Sequence, residues 1–321
     1  MINKNSSPEL VVVGELNIDL ILDKVNQLPE IGKERIAQSM TLTLGSSSAI
    51  LASNASMLGL HVGFVGRVGV DPFGSYAVNS LQKSGVDTGQ IIDTVGVATG
   101  VTAIYTYHND RGMVTYPGAM EHLVLEDIPW QYLKQAKHLH LSSYYLQTGI
   151  KPSCKELFKK AKEFGLTTSL DTNWDPEEKW GKDVYEVLSY VDVFLPNDKE
   201  ALFISGENDL ELAMESLSDY AGTVIVTCGA EGIRAQQGSM KYSIPGLPVD
   251  PIDAVGAGDS FNAGFLNMYI KGKPLIECLN YGILASAYST LGSGGTSAFM
   301  DIEKFSSFKN KMNKYLKNNI S

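Results

Sequence analysis

VDPIDAVGAGDSFNAGF (residues 249–265) is the stretch that decides the reading of this 321-residue chain. Two glycines, Gly256 and Gly258, and one carboxylate, Asp259, stand where an apolar run turns into a helix. Glycine inside regular structure costs roughly 0.5–1 kcal/mol relative to alanine, so it is kept where backbone must turn sharply or let something approach. Downstream, Phe261, Phe265, Leu266 and Tyr269 recur at helical spacing. The glycines therefore mark a helix start, with Asp259 in its first turn. Such a terminus carries unpaired N–H groups and the positive end of the macrodipole, which suits a negative oxygen developing during a reaction. It would equally stabilise a plain N-terminal carboxylate, and GxGD in isolation does not choose between the two. The P-loop pattern G-x-x-x-x-G-K-[ST] is absent, and Phe261 stands where a dinucleotide fingerprint needs its third glycine.

Composition narrows the classes. The chain is 44% hydrophobic and 19% charged, as soluble globular proteins are. A net charge of -10 argues against a nucleic-acid partner, which needs a basic patch to neutralise phosphates. No apolar run approaches the roughly 20 residues of a membrane span, and MINKNSSPEL lacks a signal-peptide core. Cys154, Cys228 and Cys278 are scattered and odd in number, which reads as reduced thiols in a cytoplasmic protein.

Short β-rich runs alternate with helical patterns. LVVVG (10–14), HVGFVG (61–66), HLHLSS (138–143), LTTSLD (166–171), VDVFLP (191–196) and GTVIVTCG (222–229) read as buried strands. Residues 46–60, 71–85, 151–165 and 197–206 read as helices, several ending in a glycine suited to a left-handed cap. Strands apolar throughout and separated by helices predict an α/β fold with a mostly parallel central sheet covered on both faces. No linker or repeat divides the chain, so residues 1–321 read as one domain. Two segments, about 17–45 and 96–120, break the alternation with period-two patterns around turn signals such as HNDRG. They predict a small antiparallel sheet beside the body, acting as a lid that excludes water, as an edge for a homodimer, or as both.

The longer stretch DAVGAGDSFNAGF (253–265) resembles the C-terminal signature of the PfkB/ribokinase family of sugar and nucleoside kinases. The likeness runs through most of the chain. VVVGELNIDLI (11–21) resembles the family's opening strand with its sugar-contacting Asn17 and Asp19, and GFVGRVGVDPFG (63–74) its glycine-rich strand and turn. PNDKE (196–200) matches an Asn-x-x-Glu element at Asn197 and Glu200, and TCGAEG (227–232) a nucleotide loop at Thr227, Gly229 and Gly232. Motifs in this order are far more specific than any one alone.

The resemblance implies a ribokinase-like three-layer fold carrying the lid. It also implies ATP- and Mg²⁺-dependent transfer of the γ-phosphate to a primary hydroxyl of a small sugar. Asp259 would take the hydroxyl proton, while the backbone of Gly256, Ala257, Gly258 and Asp259 would hold the charge building on the phosphoryl oxygens. Asn197 and Glu200 would serve Mg²⁺, which takes few protein oxygens. Thr227, Gly229, Gly232, Asn197, Gly256 and Gly258 would border the nucleotide. Asp253 and the carbonyl of Val255, with carbonyls from LGSGGTSA (291–298), would hold a monovalent cation such as K⁺. By residue type alone, Asn197 and Glu200 also fit an ordinary helix start, Gly229 and Gly232 a hairpin turn, and Asp253 a turn.

Two departures bear on the substrate. In LGSSSAILAS (44–53) Gly45 remains, Ser46 replaces the family's second glycine and Ile50 stands where asparagine is common. Gly45, Ser46 and Ser47 stay candidates for the sugar, and Ser46 suits a helix cap, but Ile50 cannot do what an amide does. Ribose is thereby placed in doubt. LDTNWDP (170–176) has Trp174 and Asp175 where many fructokinase and ketodeoxygluconate-kinase relatives carry an arginine. An acidic sugar needs a bidentate cation. Arg111 is the nearest, so a neutral sugar fits better. Tyr105 and Tyr107 share one face of a lid strand and either stack on substrate or pack on the body. The alternatives are a nucleoside kinase, with one of these tyrosines as a clamp, and a catalytically silent sugar-binding or regulatory protein. His138 and His140 share a strand face without the partners of a metal site, and SNAS (53–56) falls inside a predicted helix.

Overall fold

The computed structural model describes residues 7–27, 29–107 and 110–319. Its strands are β1 (Leu10–Val13), β2 (Asn17–Asp23), β3 (Ser39–Leu44), β4 (Val62–Gly69), β5 (Asp87–Thr94), β6 (Gly100–Tyr107) and β7 (Asp110–Tyr116). They continue as β8 (His138–Leu141), β9 (Thr167–Leu170), β10 (Val193–Phe194), β11 (Thr223–Thr227), β12 (Ile233–Gln237) and β13 (Met240–Ile244). The helices are α1 (Ser47–Met57), α2 (Pro72–Lys83), α3 (Trp130–Leu133), α4 (Cys154–Glu163) and α5 (Asp183–Leu188). After them come α6 (Asp198–Ser205), α7 (Leu210–Ser218), α8 (Ala257–Tyr269), α9 (Leu275–Ser289) and α10 (Ile302–Asn319).

Nine strands form the main sheet in the order β13-β12-β11-β10-β9-β8-β1-β4-β5. All pairs from β11 across to β5 are parallel; β12 and β13 add an antiparallel hairpin at one edge. The period-two geometry of a strand then sorts the core into two layers. Leu10 and Val12 pack with apolar residues of α1, α2, α8, α9 and α10. Val11 and Val13 point the other way, into a core shared with α3, α4, α5, α6 and α7. This three-layer α/β arrangement is the one that the sequence predicts, with β10 reduced to two residues of the expected 191–196.

The lid is a separate sheet in the order β3-β2-β6-β7, drawn from the two predicted segments. It departs from a purely antiparallel flap. The outer pairs β2–β3 and β6–β7 are antiparallel, but the central pair β2–β6 is parallel. The cause lies in the body: β2 and β6 continue from β1 and β5, which run in the same direction in the main sheet. His108 and Asn109 of the HNDRG turn lie outside the described residues.

Beyond β11 the chain makes a 3₁₀ turn over Gly229–Glu231 and returns along β12. Gly232 enters that strand at φ 105°, and a Cβ there would lie 2.1 Å from the Ile244 carbonyl oxygen. Gly238, in the β12–β13 turn, has φ 55° and open space around it. Gly232→Ala should therefore destabilise the protein by about 3 kcal/mol or more, adding backbone displacement to left-handed strain, whereas Gly238→Ala should cost about 1–2 kcal/mol. Urea denaturation of the two variants checks the order; equal losses would mean that the edge hairpin yields freely.

Candidate active site

A cleft of about 990 Å³ lies between the lid and the C-terminal ends of the parallel strands, where open α/β sheets bind ligands. The strands deliver the residues that follow them: Glu15 after β1, Ser143 after β8, Asp171 and Asn173 after β9, Asn197 after β10, and Thr227 and Gly229 at the end of β11. Helix α8 brings Gly256, Ala257, Gly258, Asp259 and Asn262 to the same space. From the lid come Asn17, Asp19, Thr102, Ile104, Arg111, Met113 and Thr115.

Gly256 starts α8 at φ 72° and no side chain caps the helix. Its glycine is obligatory, because a Cβ would lie 2.7 Å from the Cα of Gly295 and 3.1 Å from Ile50. Ile50, in place of the family's asparagine, is thus the apolar wedge between the two glycine loops. The Ala257 amide turns back to the Ala254 carbonyl at 3.3 Å. Gly258 differs from Gly256: nothing lies within 4 Å of a Cβ built there, and that Cβ would occupy the cleft. A helical glycine with no neighbour to avoid keeps space for something that enters the cleft.

Asp259 is only 9% exposed. Burial pushes its carboxyl up to about 8; the charge of Asp171 adds to the effect and a hydrogen bond from Ser47 opposes it. Burial also raises Asp171 and Glu200 well above the ordinary carboxylate range, with Glu200 acting on Asp171 and Asp259 on Glu200. Asn262, three residues beyond Asp259 on α8, donates to Asp171 at 2.7 Å. Asp19 is raised to about 6 by burial against the pull of Arg111. Gly45 lies outside the cleft lining, but a Cβ there would lie 2.2 Å from Asp19 Oδ1 and 2.8 Å from Asn17 Oδ1. It makes room for the pair. Asn17 Oδ1 is buried with no hydrogen-bond partner among the described residues.

Of the other predicted residues, Ser46 and Ser47 line the cleft with committed hydroxyls. Ser46 donates to the Glu15 carbonyl and accepts from Ala49, capping α1; Ser47 accepts from Asn173 at 2.7 Å and counters the effect of burial on Asp259. Asn197 and Glu200 form a reciprocal capping box on α6. Asp253 lies just behind the lining and accepts from Val255 N at 2.9 Å and Gly294 N at 2.8 Å, tying the signature to the 291–298 loop. Gly232 shapes the turn from behind. Tyr105 and Tyr107 fall outside the cleft: Thr102 and Ile104 hold the inward face of β6, so alternation sends both tyrosines outward. His138 and His140 are buried and bonded to Ser169, Thr167 and Ser142 hydroxyls. Asn54 of the SNAS stretch is buried against Ser260 and Gly295.

The chain matches the pfkB family carbohydrate kinase profile over residues 7–302. It belongs to that family. An ATP-dependent ribose-1-phosphate kinase of Halopiger xanaduensis is 30% identical over 291 residues, covering 89% of this chain and 93% of the relative. A cytidine kinase of Thermococcus kodakarensis is 30% identical over 283 residues, covering 86% and 93%. The crystal structure of a ribokinase from Thermotoga maritima superposes with TM-score 0.81 at 26% identity, covering 94% of this chain and 99% of that one. The protein is a sugar or nucleoside kinase, a phosphotransferase with an alcohol acceptor. Among the described residues no helix is long and apolar enough to cross a membrane.

Two buried acids of the cleft escaped the sequence reading, Glu15 and Asp171, as did the polar residues Ser143, Asn173 and Asn262 beside them. The signal for the acids was a carboxylate at the C-terminal end of a predicted buried strand (VVVGE, TTSLD), where an unshielded charge is costly unless it is used.

Raised carboxyls make the ligand-free protein sensitive to alkali. The native state holds protons that the unfolded chain has already lost, so Asp259's contribution is complete below about 3.8 and gone above about 8. His138 and His140, pushed down by burial, act oppositely but only below their ordinary value of 6.5. Between pH 7 and 9 the carboxyls dominate, and the thiols of Cys154, Cys228 and Cys278, raised by burial, add in the same direction as pH nears 9. Stability to urea should fall by about 1–3 kcal/mol over that window, and millimolar Mg²⁺ should reduce the fall by favouring the ionised carboxylates. A flat profile would contradict a desolvated cluster.

Proposed function

We propose that this kinase transfers the γ-phosphate of ATP to a primary hydroxyl of a small uncharged sugar, with Asp259 as general base. The observation that carries the reading is a buried carboxylate in the first turn of a helix that no side chain caps, facing a cleft. Asp259 would accept the proton of the attacking hydroxyl. The amides of Gly258 and Asp259, with the positive end of α8, would stabilise the charge that grows on the transferred phosphoryl group. Gly258 keeps that approach open. Thr227 and Gly229 would border the nucleotide, with Gly232 fixing the turn beneath.

Among the described residues no three carboxylate, histidine or cysteine side chains converge to hold a metal ion, which fits Mg²⁺ taking few protein oxygens and several waters. Asp171, Glu200 and Asp259 raise one another's carboxyls, which a divalent cation would relieve. Asn197 is committed to the capping box, so its part is to hold Glu200; Glu200 and Asp171 would hold the ion largely through water, as Mg²⁺ prefers. When bound it would neutralise phosphate charge. For a monovalent cation, Asp253 and the Val255 carbonyl remain the proposed ligands, placed where the signature meets the 291–298 loop.

Charge argues for the neutral acceptor. Glu15, Asp19, Glu121, Asp171, Asp198, Glu200 and Asp259 line the cleft against Arg111 and Lys199. An acidic sugar or sugar phosphate would meet repulsion with one lid guanidinium to offset it. Asn17 and Asp19, side by side over Gly45, offer acceptors to two hydroxyls. A nucleoside acceptor is the second reading, favoured by Trp174, which lines the cleft and is fixed 5.0 Å from Trp180 and 5.4 Å from Phe203. Its base would stack there, since Tyr105 and Tyr107 face away. A cytoplasmic location accords with three free cysteines.

The outward lid face carries Leu20, Leu22, Met40, Tyr105, Val114 and Tyr116, with Met40, Val114 and Tyr116 more than half exposed. We place the homodimer contact on it. Val114→Lys should convert a dimer into a monomer in light scattering; an unchanged mass, or a monomeric parent, would refute this contact.

ADP release measured with hexoses, pentoses, sugar acids, sugar phosphates and nucleosides tests the acceptor. A neutral sugar should stimulate turnover most. Best turnover with a nucleoside would establish the second reading, and sugar binding without turnover would mean a silent protein. Asp259→Asn should lower kcat by about 10²–10⁴-fold with ATP affinity within a few-fold of the parent. Near-normal turnover would remove Asp259 from the role of base.

A further inference from the structure

Ser47, two residues after Gly45, belongs to a hydrogen-bonded chain that crosses the floor of the cleft. Asn173 has one side-chain NH₂ group, which donates to Ser143 Oγ at 2.6 Å and to Ser47 Oγ at 2.7 Å. A serine oxygen that accepts from an amide must send its own proton elsewhere. Ser143 donates to Glu15 Oε1 at 2.6 Å, while the Ser47 hydroxyl is the one that holds the Asp259 carboxyl down against burial. An amide in the centre thus feeds two hydroxyls, one ending on the Glu15 carboxylate and the other facing Asp259.

Glu15 is built in as the far end. It is 2% exposed, lines the cleft, and also accepts from Ser48 N at 3.2 Å and Ser48 Oγ at 2.5 Å. Backbone strain converges on the same place. Ser46, Ser143 and Asn173 are non-glycine residues with φ of 72°, 55° and 53°. Each such conformation is uncommon and persists only where surrounding contacts impose it.

We propose that Glu15 is a positioning residue, which acts through Ser143, Asn173 and Ser47 to fix the carboxylate of Asp259 towards the acceptor hydroxyl. The proposal rests on the reading of Asp259 as base. Removing the acceptor at Glu15 frees the Ser143 proton to turn, Asn173 loses one of its two anchors, and Ser47 no longer has a fixed direction. The carboxylates facing Asp259 are Asp171, Glu15 and Asp19, with Glu200 beyond them.

The test uses the full-length enzyme with saturating ATP, Mg²⁺ and the best acceptor from the panel. Glu15→Ala and Ser143→Ala should each lower kcat by about 10–100-fold, with KM for ATP within threefold, the loss expected when a reacting group is held about 1 Å out of place. Glu15→Gln keeps an oxygen for Ser143 and should recover at least tenfold over Glu15→Ala. Glu15→Ala/Ser143→Ala should be no worse than the poorer single variant, because both cut one chain. Additive losses, unaltered kcat in either single variant, or a raised sugar KM at unchanged kcat would overturn the proposal. If Glu15→Ala does not fold, as judged by its thermal transition, Ser143→Ala and Glu15→Gln decide by the same criteria. Asp259→Asn in the same assay separates the two levels. An active Asp259→Asn enzyme removes the base itself, whereas an inactive one beside fully active Glu15 and Ser143 variants removes only the positioning chain.

Discussion

Everything in this cleft follows from burying several carboxylates at the mouth of one helix. A desolvated carboxylate surrounded by others resists ionising, so Asp259 sits near 8 and its neighbours rise with it. Such an arrangement is costly in the empty protein, and positive charge entering the cleft would relieve it. The positive end of α8 and its uncapped amides are the part that the protein itself supplies. The rest must come with the ligands, and the raised carboxyls register their demand for positive charge.

The scaffold that permits this is ordinary parallel-sheet physics. Consecutive parallel strands place all their C-terminal ends at one edge, so residues distant in sequence, from Glu15 to Thr227, converge without long loops. The lid uses the same direction. Because β2 and β6 extend from parallel body strands, they pair in parallel and bring Asn17 and Asp19 down beside Thr102, leaving the antiparallel hairpins to widen the sheet on either side.

Much of this was legible in the residues. Strands apolar at every position, such as Leu10–Val13, could only be buried on both faces, and the GAGD turn announced a helix start with an acid in its first turn. What sequence could not show was which way alternating residues point once a strand leaves the body. Tyr105 and Tyr107 were rightly placed on one face, but only the pairing of Asp19 with Thr102 fixes that face as the outer one. β5, with a polar pattern and two adjacent isoleucines at a sheet edge, and the short β12–β13 hairpin carried too few apolar residues to stand out. Glu15 and Asp171 were hidden for a different reason. One buried acid after a strand is unremarkable alone, and its meaning appears only when several meet in space.

The departures around Gly45 make sense as one exchange of chemistry. Where glycine followed by glycine would leave the backbone bare, Ser46 accepts a left-handed φ of 72° and uses its hydroxyl to cap α1 and hold the Glu15 carbonyl. Where an asparagine amide would reach towards the sugar, Ile50 instead fills the gap between Gly256 and Gly295 and steadies the start of α8. Asn54, one turn further along α1, binds both Ser260 and the Gly295 carbonyl. The polar contact surrendered at residue 50 thus reappears as packing behind the helix tip. With Asp259 as the proposed base, such a trade would shift the work of this loop from touching the acceptor to fixing that carboxylate, and would leave recognition of the acceptor to the lid residues Asn17 and Asp19.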